Sequence, residues 1–452
     1  MGALALAGVT LAGCASRPSL EEMPPIVFVH GNGDSAAVWM TTMWRFESNG
    51  WPRERLHAVD AVYPLARDDD TRAQPGRIST AEHMALVKAE VEKVLKATGA
   101  GKVVLVGNSG GGLAIRNYIQ NGGGDKVVSH AILGGTPNHG AWAIKGFQEG
   151  NQFSGTGPFM TALNAPKNVA GDEVTGPVKW MTLRSDNNDK YAQPDGLWLG
   201  ARGTPTNVSY DGPALKGATN VVLPRADHRE VSFSPAAFEA AYSFITGRAS
   251  KTLDIQPETQ VVLNGKLSGL GLDPLDPKSG NYANNLPLAG AQVTVHAVDP
   301  ATGARKGGPV HSKTVGADGM WGPFAAQAGT PYEFVISAPG YATAHVYRSA
   351  FPRSSNVVNL RAERIADADR DAAAIVTFTR PRGYFDPARD RMMFNGAQTL
   401  PGVLPGAGVS SSKVKLAQVP DAAIAGQFNG ELLTGRAWPA AQGHVSVLEL
   451  HY

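Results

Sequence analysis

Through the first half of the chain, short apolar runs alternate with segments of helical periodicity. Ile26-Val27-Phe28-Val29 reads as a buried strand that ends in the turn His30-Gly31-Asn32-Gly33. Ser35 to Phe46 follows as a helix, with Val38, Trp39, Met43 and Phe46 on one face. Leu56 to Asp60 is the next strand. Ser79-Thr80-Ala81-Glu82 is a capping box that opens a helix, Met84, Val87, Val91, Val94 and Leu95 keep its apolar spacing, and Gly99 closes it. Val103 to Val106 then runs into Gly107-Asn108-Ser109-Gly110-Gly111, and helical spacing resumes at Leu113, Ile115, Tyr118 and Ile119. Val127 to Leu133, Val178 to Leu183 and Ala218 to Leu223 are further strands, and Ser234-Pro235-Ala236 caps a last helix through Phe244. Strand and helix in alternation predict a parallel sheet covered by helices on both faces.

Beyond about residue 250 the helical period stops. Alternating runs such as Gln292-Val293-Thr294-Val295 and Tyr332-Glu333-Phe334-Val335-Ile336 are punctuated by turns at Asp299-Pro300 and Asp318-Gly319. Ile375 to Phe378, Lys413 to Leu416 and Val445 to Leu448 add more. This is the pattern of a β-sandwich. The expected organisation is a signal peptide and tether over 1–23, a catalytic α/β domain over 24–250, a β-sandwich over 251–365 and a second small β domain over 366–452.

The stretch from Gly107 to Gly111 carries the strongest chemistry. A Gly-x-Ser-x-Gly between strand and helix is the setting of a nucleophile elbow, where the turn is so tight that the flanking positions must lack side chains. It places Ser109 at a helix N-terminus, where free N–H groups and the helix dipole favour a developing anion. The backbone N–H groups of Asn32 and Gly110 are the candidate oxyanion donors. His228, just past a strand end and downstream of every candidate acid, is the expected base. The acid is expected from the loop after Val178–Leu183, which holds Asp186, Asp189 and Asp195. Asp189 is favoured, Asp186 is the alternative, and Asp195 reads as a turn residue. His30 is expected as a hydrogen-bonding support beneath its loop, and His139 precedes the acid and is not expected to act as base. Residues 141–177, long and dotted with Trp142, Phe147, Phe153, Phe159 and Met160, suit either a cap over an apolar substrate or a packed excursion. The charge run Arg67 to Arg72 is read as a solvated loop.

Composition narrows the class. The net charge is +2 with 18 % charged residues and no basic block, so nothing points to nucleic acid. One cysteine excludes an internal disulfide and an all-cysteine metal centre. No metal and no cofactor is expected. That cysteine ends Leu11-Ala12-Gly13-Cys14 after a small, apolar run, which resembles the lipobox of a bacterial lipoprotein. The resemblance implies cleavage before Cys14, lipid on Cys14, and anchoring to the cell envelope after secretion across the inner membrane. An ordinary secretory signal, leaving an extracellular protein, is the alternative. A monomer is expected.

With these residues in hand, 24–248 resembles a lipase of the α/β-hydrolase superfamily. His30-Gly31-x-Gly33 and Gly135-Thr136-Pro137-x-His139-Gly140 are similar to segments of such lipases, and the Asp189–Pro194 spacing resembles the acid loop of fungal lipase B. The run Asn220 to Gln256, with Asp227-His228 and Ser234-Pro235-x-x-Phe238, resembles an archaeal lipase with a C-terminal lipid-binding β-domain. So does Pro331-Tyr332-Glu333-Phe334 through Phe351. Gly-Ala-x-Val-x-Val, Asp-Gly-x-Trp and Ala-Pro-Gly-Tyr resemble a carboxypeptidase-regulatory-like module. The resemblance implies an α/β-hydrolase fold, a serine carboxylic-ester hydrolase working through an acyl-enzyme, lipidic or other bulky ester substrates including polyesters, and a lipid- or surface-binding C-terminal part. Two departures stand out. That relative takes its acid directly after the strand following the elbow helix, where this chain has Gly134-Gly135. Asn108 stands where most lipases have histidine. The alternatives are a surface-anchored lipid- or polymer-binding lipoprotein with little activity, and a serine amidase.

Overall fold

The computed structural model describes residues 23–196, 198, 203–272, 282–406 and 408–452. Cys14 and the expected signal peptide lie outside the described residues.

Six parallel strands form the first sheet in the order β2-β1-β3-β4-β5-β6. They are β1 (Ile26–Val29), β2 (Leu56–Ala58), β3 (Val103–Asn108), β4 (Val128–Gly134), β5 (Lys179–Ser185) and β6 (Thr219–Leu223). The near-continuous apolar runs of β1 and β3 are what burial on both faces demands, and every residue of both strands is buried. Helix α1 (Met40–Ser48) and the last helix, Pro235–Thr246, cover one face through Trp39, Phe46, Phe238 and Tyr242. Helices α2 (Thr80–Thr98) and α3 (Gly110–Asn121) cover the other through Val87, Val91, Val94, Ile115 and Tyr118. The capping box forms as expected: Ser79 accepts from the Glu82 N–H, Glu82 from the Ser79 N–H, and Gly99 closes the helix at φ 65°. The charge run is more structural than a solvated loop. The Asp70 carboxylate takes the Thr80 N–H at 2.8 Å and its hydroxyl at 2.6 Å, because the first N–H groups of α2 need acceptors. The excursion 141–177 is largely packed. Its helix Pro158–Leu163 sets Met160 and Leu163 on Leu113, and buried Arg116 on α3 bonds the carbonyls of Asn138, Leu163 and Glu173. Phe147 alone among its aromatics is exposed, at 39 %.

The C-terminal half is mostly β, but not divided as expected. A seven-stranded mixed sheet runs in the order His311–Thr314, Gln292–Ala297, Tyr332–Ser337, Thr343–Arg348, His444–Glu449, Ala374–Thr379, Ser411–Leu416. The expected boundary at 365 therefore cuts through one sheet. His444–Glu449 pairs in parallel with both Thr343–Arg348 and Ala374–Thr379. Without it Thr343–Arg348, buried at all but its first residue, would be an open edge. A three-stranded sheet (Met392–Phe394, Ile424–Phe428, Glu431–Gly435) and two strand pairs complete the half. Its core is continuous with that of the first half: Trp44, Phe351 and His451 pack edge-on, and the Trp44 indole donates to the Ser354 carbonyl.

Candidate active site

β3 lies in the middle of its sheet and stops at Asn108. Ser109 follows at φ 51° and ψ −124°, a conformation few side-chain-bearing residues adopt, and α3 begins at Gly110. Such a residue costs about 1–3 kcal/mol. Burying Val103, Val104, Leu105 and Val106 stabilises the strand by about 1.5–3 kcal/mol each, so the turn is held against its strain. The glycines are needed for room. A Cβ on Gly111 would lie 2.5 Å from the carbonyl oxygens of both Val29 and His30, and one on Gly107 would lie 2.7 Å from Ile115. Ser109 is half-buried, its N–H donating to the Gly134 carbonyl at 2.9 Å.

The β1 loop comes up against the serine. A Cβ on Gly31 would lie 3.0 Å from Ser109 Cβ, and one on Gly110 would lie 3.8 Å from the Asn32 nitrogen. Asn32 and Gly110 thus stand side by side at the elbow. The Asn32 side chain takes the Ala66 N–H at 2.7 Å, which fixes its loop. His30 is spent beneath it, with Nε2 accepting from the Ala61 N–H at 3.1 Å and Nδ1 set 2.8 Å from the Gly31 carbonyl.

His228 follows β6, and its Nδ1 stands 2.9 and 2.8 Å from the two oxygens of Asp189. Both residues are buried. Asp189 also accepts from the Tyr191 N–H at 2.9 Å, and the Tyr191 ring lies 4.4 Å from the imidazole. A Cβ on Gly135, directly after β4, would come within 3.3 Å of His228 Nδ1, so glycine rather than a carboxylate there leaves space for the ring. Asp186 points elsewhere. Burial is the largest single influence on its carboxyl and raises it, but the N–H groups of Arg225 and Asn187 together with other hydrogen bonds outweigh burial and hold it below the ordinary range. His139 bonds both oxygens of Glu173 at 3.1 Å. Among the described residues no cluster of three or more His, Cys, Asp or Glu side chains is arranged to hold a metal ion, and no helix is long and apolar enough to cross a membrane.

Three supports were not legible in the chain. Asn108 donates to the His228 carbonyl at 3.3 Å and to Ser232 Oγ at 2.9 Å, tying the elbow to the His228 loop. Asp227 takes the N–H groups of Arg229 and Glu230 at 2.8 and 2.9 Å and so shapes the turn that carries His228. Tyr191 begins a run of rings, through Trp198 at 5.1 Å, Trp142 at a further 5.8 Å and Phe147 at 6.1 Å, from the imidazole to the surface. Residues chosen by ring type at irregular spacing leave no period to read. A cavity of about 320 Å³ opens beside Asp189 and Tyr191, towards Tyr210 and Leu215. Neither Ser109 nor His228 lines it.

Residues 23–153 match the family model of class 2 lipases, and residues 259–365 match that of the lipase C-terminal domain. Both matched stretches are lipase domains, and the N-terminal one lies on a sheet with the α/β-hydrolase fold. The chain is a carboxylic-ester hydrolase. The first match contains the elbow and the Asn32 loop but ends before Asp189 and His228. Among solved structures this lipase is similar to a Bacillus licheniformis lipase in its mature form, at 21 % identity over 50 % of this chain and 93 % of that one, with a TM-score of 0.36. It is also similar to a Listeria innocua gene product (17 %, covering 51 % and 97 %, TM-score 0.34) and to Aspergillus fumigatus lipase B (16 %, covering 51 % and 54 %, TM-score 0.34).

Proposed function

We propose that Ser109, His228 and Asp189 form the catalytic triad of an esterase for lipidic or other bulky esters. The observation that carries this reading is the buried His228–Asp189 pair, whose His228 carbonyl accepts from Asn108, the residue preceding a serine held at φ 51°. Ser109 Oγ attacks the ester carbonyl as His228 Nε2 takes its proton, and Asp189 holds the tautomer and the imidazolium. The Asn32 and Gly110 N–H groups receive the oxyanion. The imidazolium returns the proton to the departing alcohol, leaving an acyl-enzyme, and water activated by the same imidazole releases the acid. The run of rings ending at exposed Phe147 supports a bulky apolar acyl or alcohol part. Cys14, after Leu11-Ala12-Gly13, is proposed as a lipidated anchor to the cell envelope; loss of membrane association in Cys14→Ser tests it.

The test is hydrolysis of p-nitrophenyl esters from acetate to palmitate by the chain from residue 15 onward. Turnover is expected to rise beyond the shortest acyl groups and to fall on the order of 10⁶-fold in Ser109→Ala. Folded wild type no faster than Ser109→Ala on every ester would overturn the reading in favour of a lipid-binding lipoprotein.

A further inference from the structure

The loops that carry His228 and Asp189 are gripped from outside the α/β domain. Arg380 reaches Asp227 Oδ2 at 3.4 Å and Glu230 Oε1 at 2.6 Å. Arg389 reaches the same two carboxylates at 3.3 and 2.5 Å, and the Arg225 carbonyl at 2.9 Å. The Tyr384 N–H donates to Asp227 at 2.7 Å, and the Tyr384 carbonyl takes both guanidinium groups. Between Asp227 and Glu230 stand His228 and Arg229. The Arg229 guanidinium donates to Asp34 at 2.5 Å and to the Pro381 carbonyl. The acid's loop is held by the same segment: Lys190, next to Asp189, donates to the Gly408 carbonyl at 2.8 Å and lies 4.7 Å over the Tyr384 ring. The four charged side chains of the clamp are at most 15 % exposed. Buried charges of this kind hold their geometry because losing one partner strands the other.

We infer that Arg380 and Arg389 are positioning residues for the hydrolytic reaction: the C-terminal β region sets the base of the α/β domain by clamping Asp227 and Glu230 around His228. This rests on His228 being the base. It assigns the C-terminal half a part in turnover itself, apart from any contact with lipid. A displacement of about 1 Å in a reacting group costs about 10²-fold in rate, so a clamp that fixes the His228 turn acts on kcat and leaves substrate binding alone.

The test compares four forms of the full chain on p-nitrophenyl butyrate: wild type, Arg380→Met/Arg389→Met, Arg380→Lys/Arg389→Lys and Arg353→Met. Arg353 pairs with Glu47 and Glu258 across another part of the same junction and serves as the structural control. The methionine pair is expected to lower kcat about 10²-fold with KM within about threefold of wild type. The lysine pair restores charge without the guanidinium fork and is expected to recover part of that loss. Arg353→Met is expected to keep the wild-type kcat. A folded methionine pair with kcat within threefold of wild type overturns the inference, and so does an equal loss in Arg353→Met. Should the methionine pair not fold, Asp227→Asn replaces it under the same criteria, since its amide oxygen still accepts the Arg229 and Glu230 N–H groups. Inactive wild type would overturn the triad itself, an outcome distinct from active wild type with an indifferent clamp.

Discussion

Ser109 stands on a turn supported by β1, β3 and α3, where backbone oxygens of Val29 and His30 press on Gly111 and Ile115 presses on Gly107. His228 stands on a turn supported by side chains from far along the chain: Arg380, Arg389 and Asp34 through Arg229. Ser109 is held by steric exclusion, which tolerates no added atom. His228 is held by hydrogen bonds and charge, which can be weakened by degrees. Burial lowers the affinity of Arg229 for its proton, but Asp34, Tyr384 and Asp227 outweigh it and raise the pKa, so the charge persists in a half-buried setting. Burial, and then Asp227, raises that of Glu230 against the pull of Arg380 and Arg389. In the mechanism proposed, the first arrangement serves a group that attacks and the second a group that shuttles protons.

The contrast breaks most sharply at Gly111. Gly111→Val drives side-chain carbons into two backbone carbonyls that cannot retreat, and the expected outcome is insoluble protein or a folded fraction with no measurable esterase activity, read by circular dichroism and p-nitrophenyl butyrate hydrolysis. Next comes the choice of acid. Asp189→Asn is expected to lower kcat about 10⁴-fold by stabilising the wrong imidazole tautomer. Asp186→Asn is expected to stay within about tenfold of wild type, because its carboxylate serves Arg225 and Asn187. The reverse order in steady-state kinetics would move the triad to Asp186.

Asn108 joins the two halves and sharpens the comparison. Asn108→Ala strands the Ser232 hydroxyl and releases the His228 carbonyl, with an expected stability loss of about 1–3 kcal/mol in urea unfolding. If base position is a tertiary matter, kcat should fall about tenfold alongside, more than the stability loss alone explains while the protein stays folded.

The smallest effect belongs to the elbow's side. His83 on α2 is buried, and desolvation, aided by His30, lowers its pKa from 6.5 to about 3. The unfolded chain takes this proton near pH 6.5 and the folded chain only near 3, so the unfolded state binds more protons between. Stability is fully present above 6.5 and lost as pH falls through that window, by up to about 1.4 kcal/mol per pH unit. His83→Leu is expected to flatten the fall in melting temperature between pH 7 and 4.5. An unchanged slope would place the acid sensitivity elsewhere, for instance in the clamp.

What the chain by itself determined was local. The elbow, the capping box at Ser79, the αL stop at Gly99 and the strand runs each depend on residues a few positions apart, and apolar spacing and glycine placement record them directly. The strand–turn–helix around Ser109 was legible for that reason, as was the β character of the second half. Spacing to Pro194 favoured Asp189 and left Asp186 open, and only the fold sets Asp189 against His228 while turning Asp186 to Arg225. The single sheet that joins residues 292–348 to 374–449 was not legible, because a strand's pattern records which face is buried and not which neighbour pairs with it. Arginines read singly along a chain look like solvated surface. Arg380 and Arg389 meet the His228 loop only where the fold brings Asp227 and Glu230 beneath them and leaves little of the four exposed.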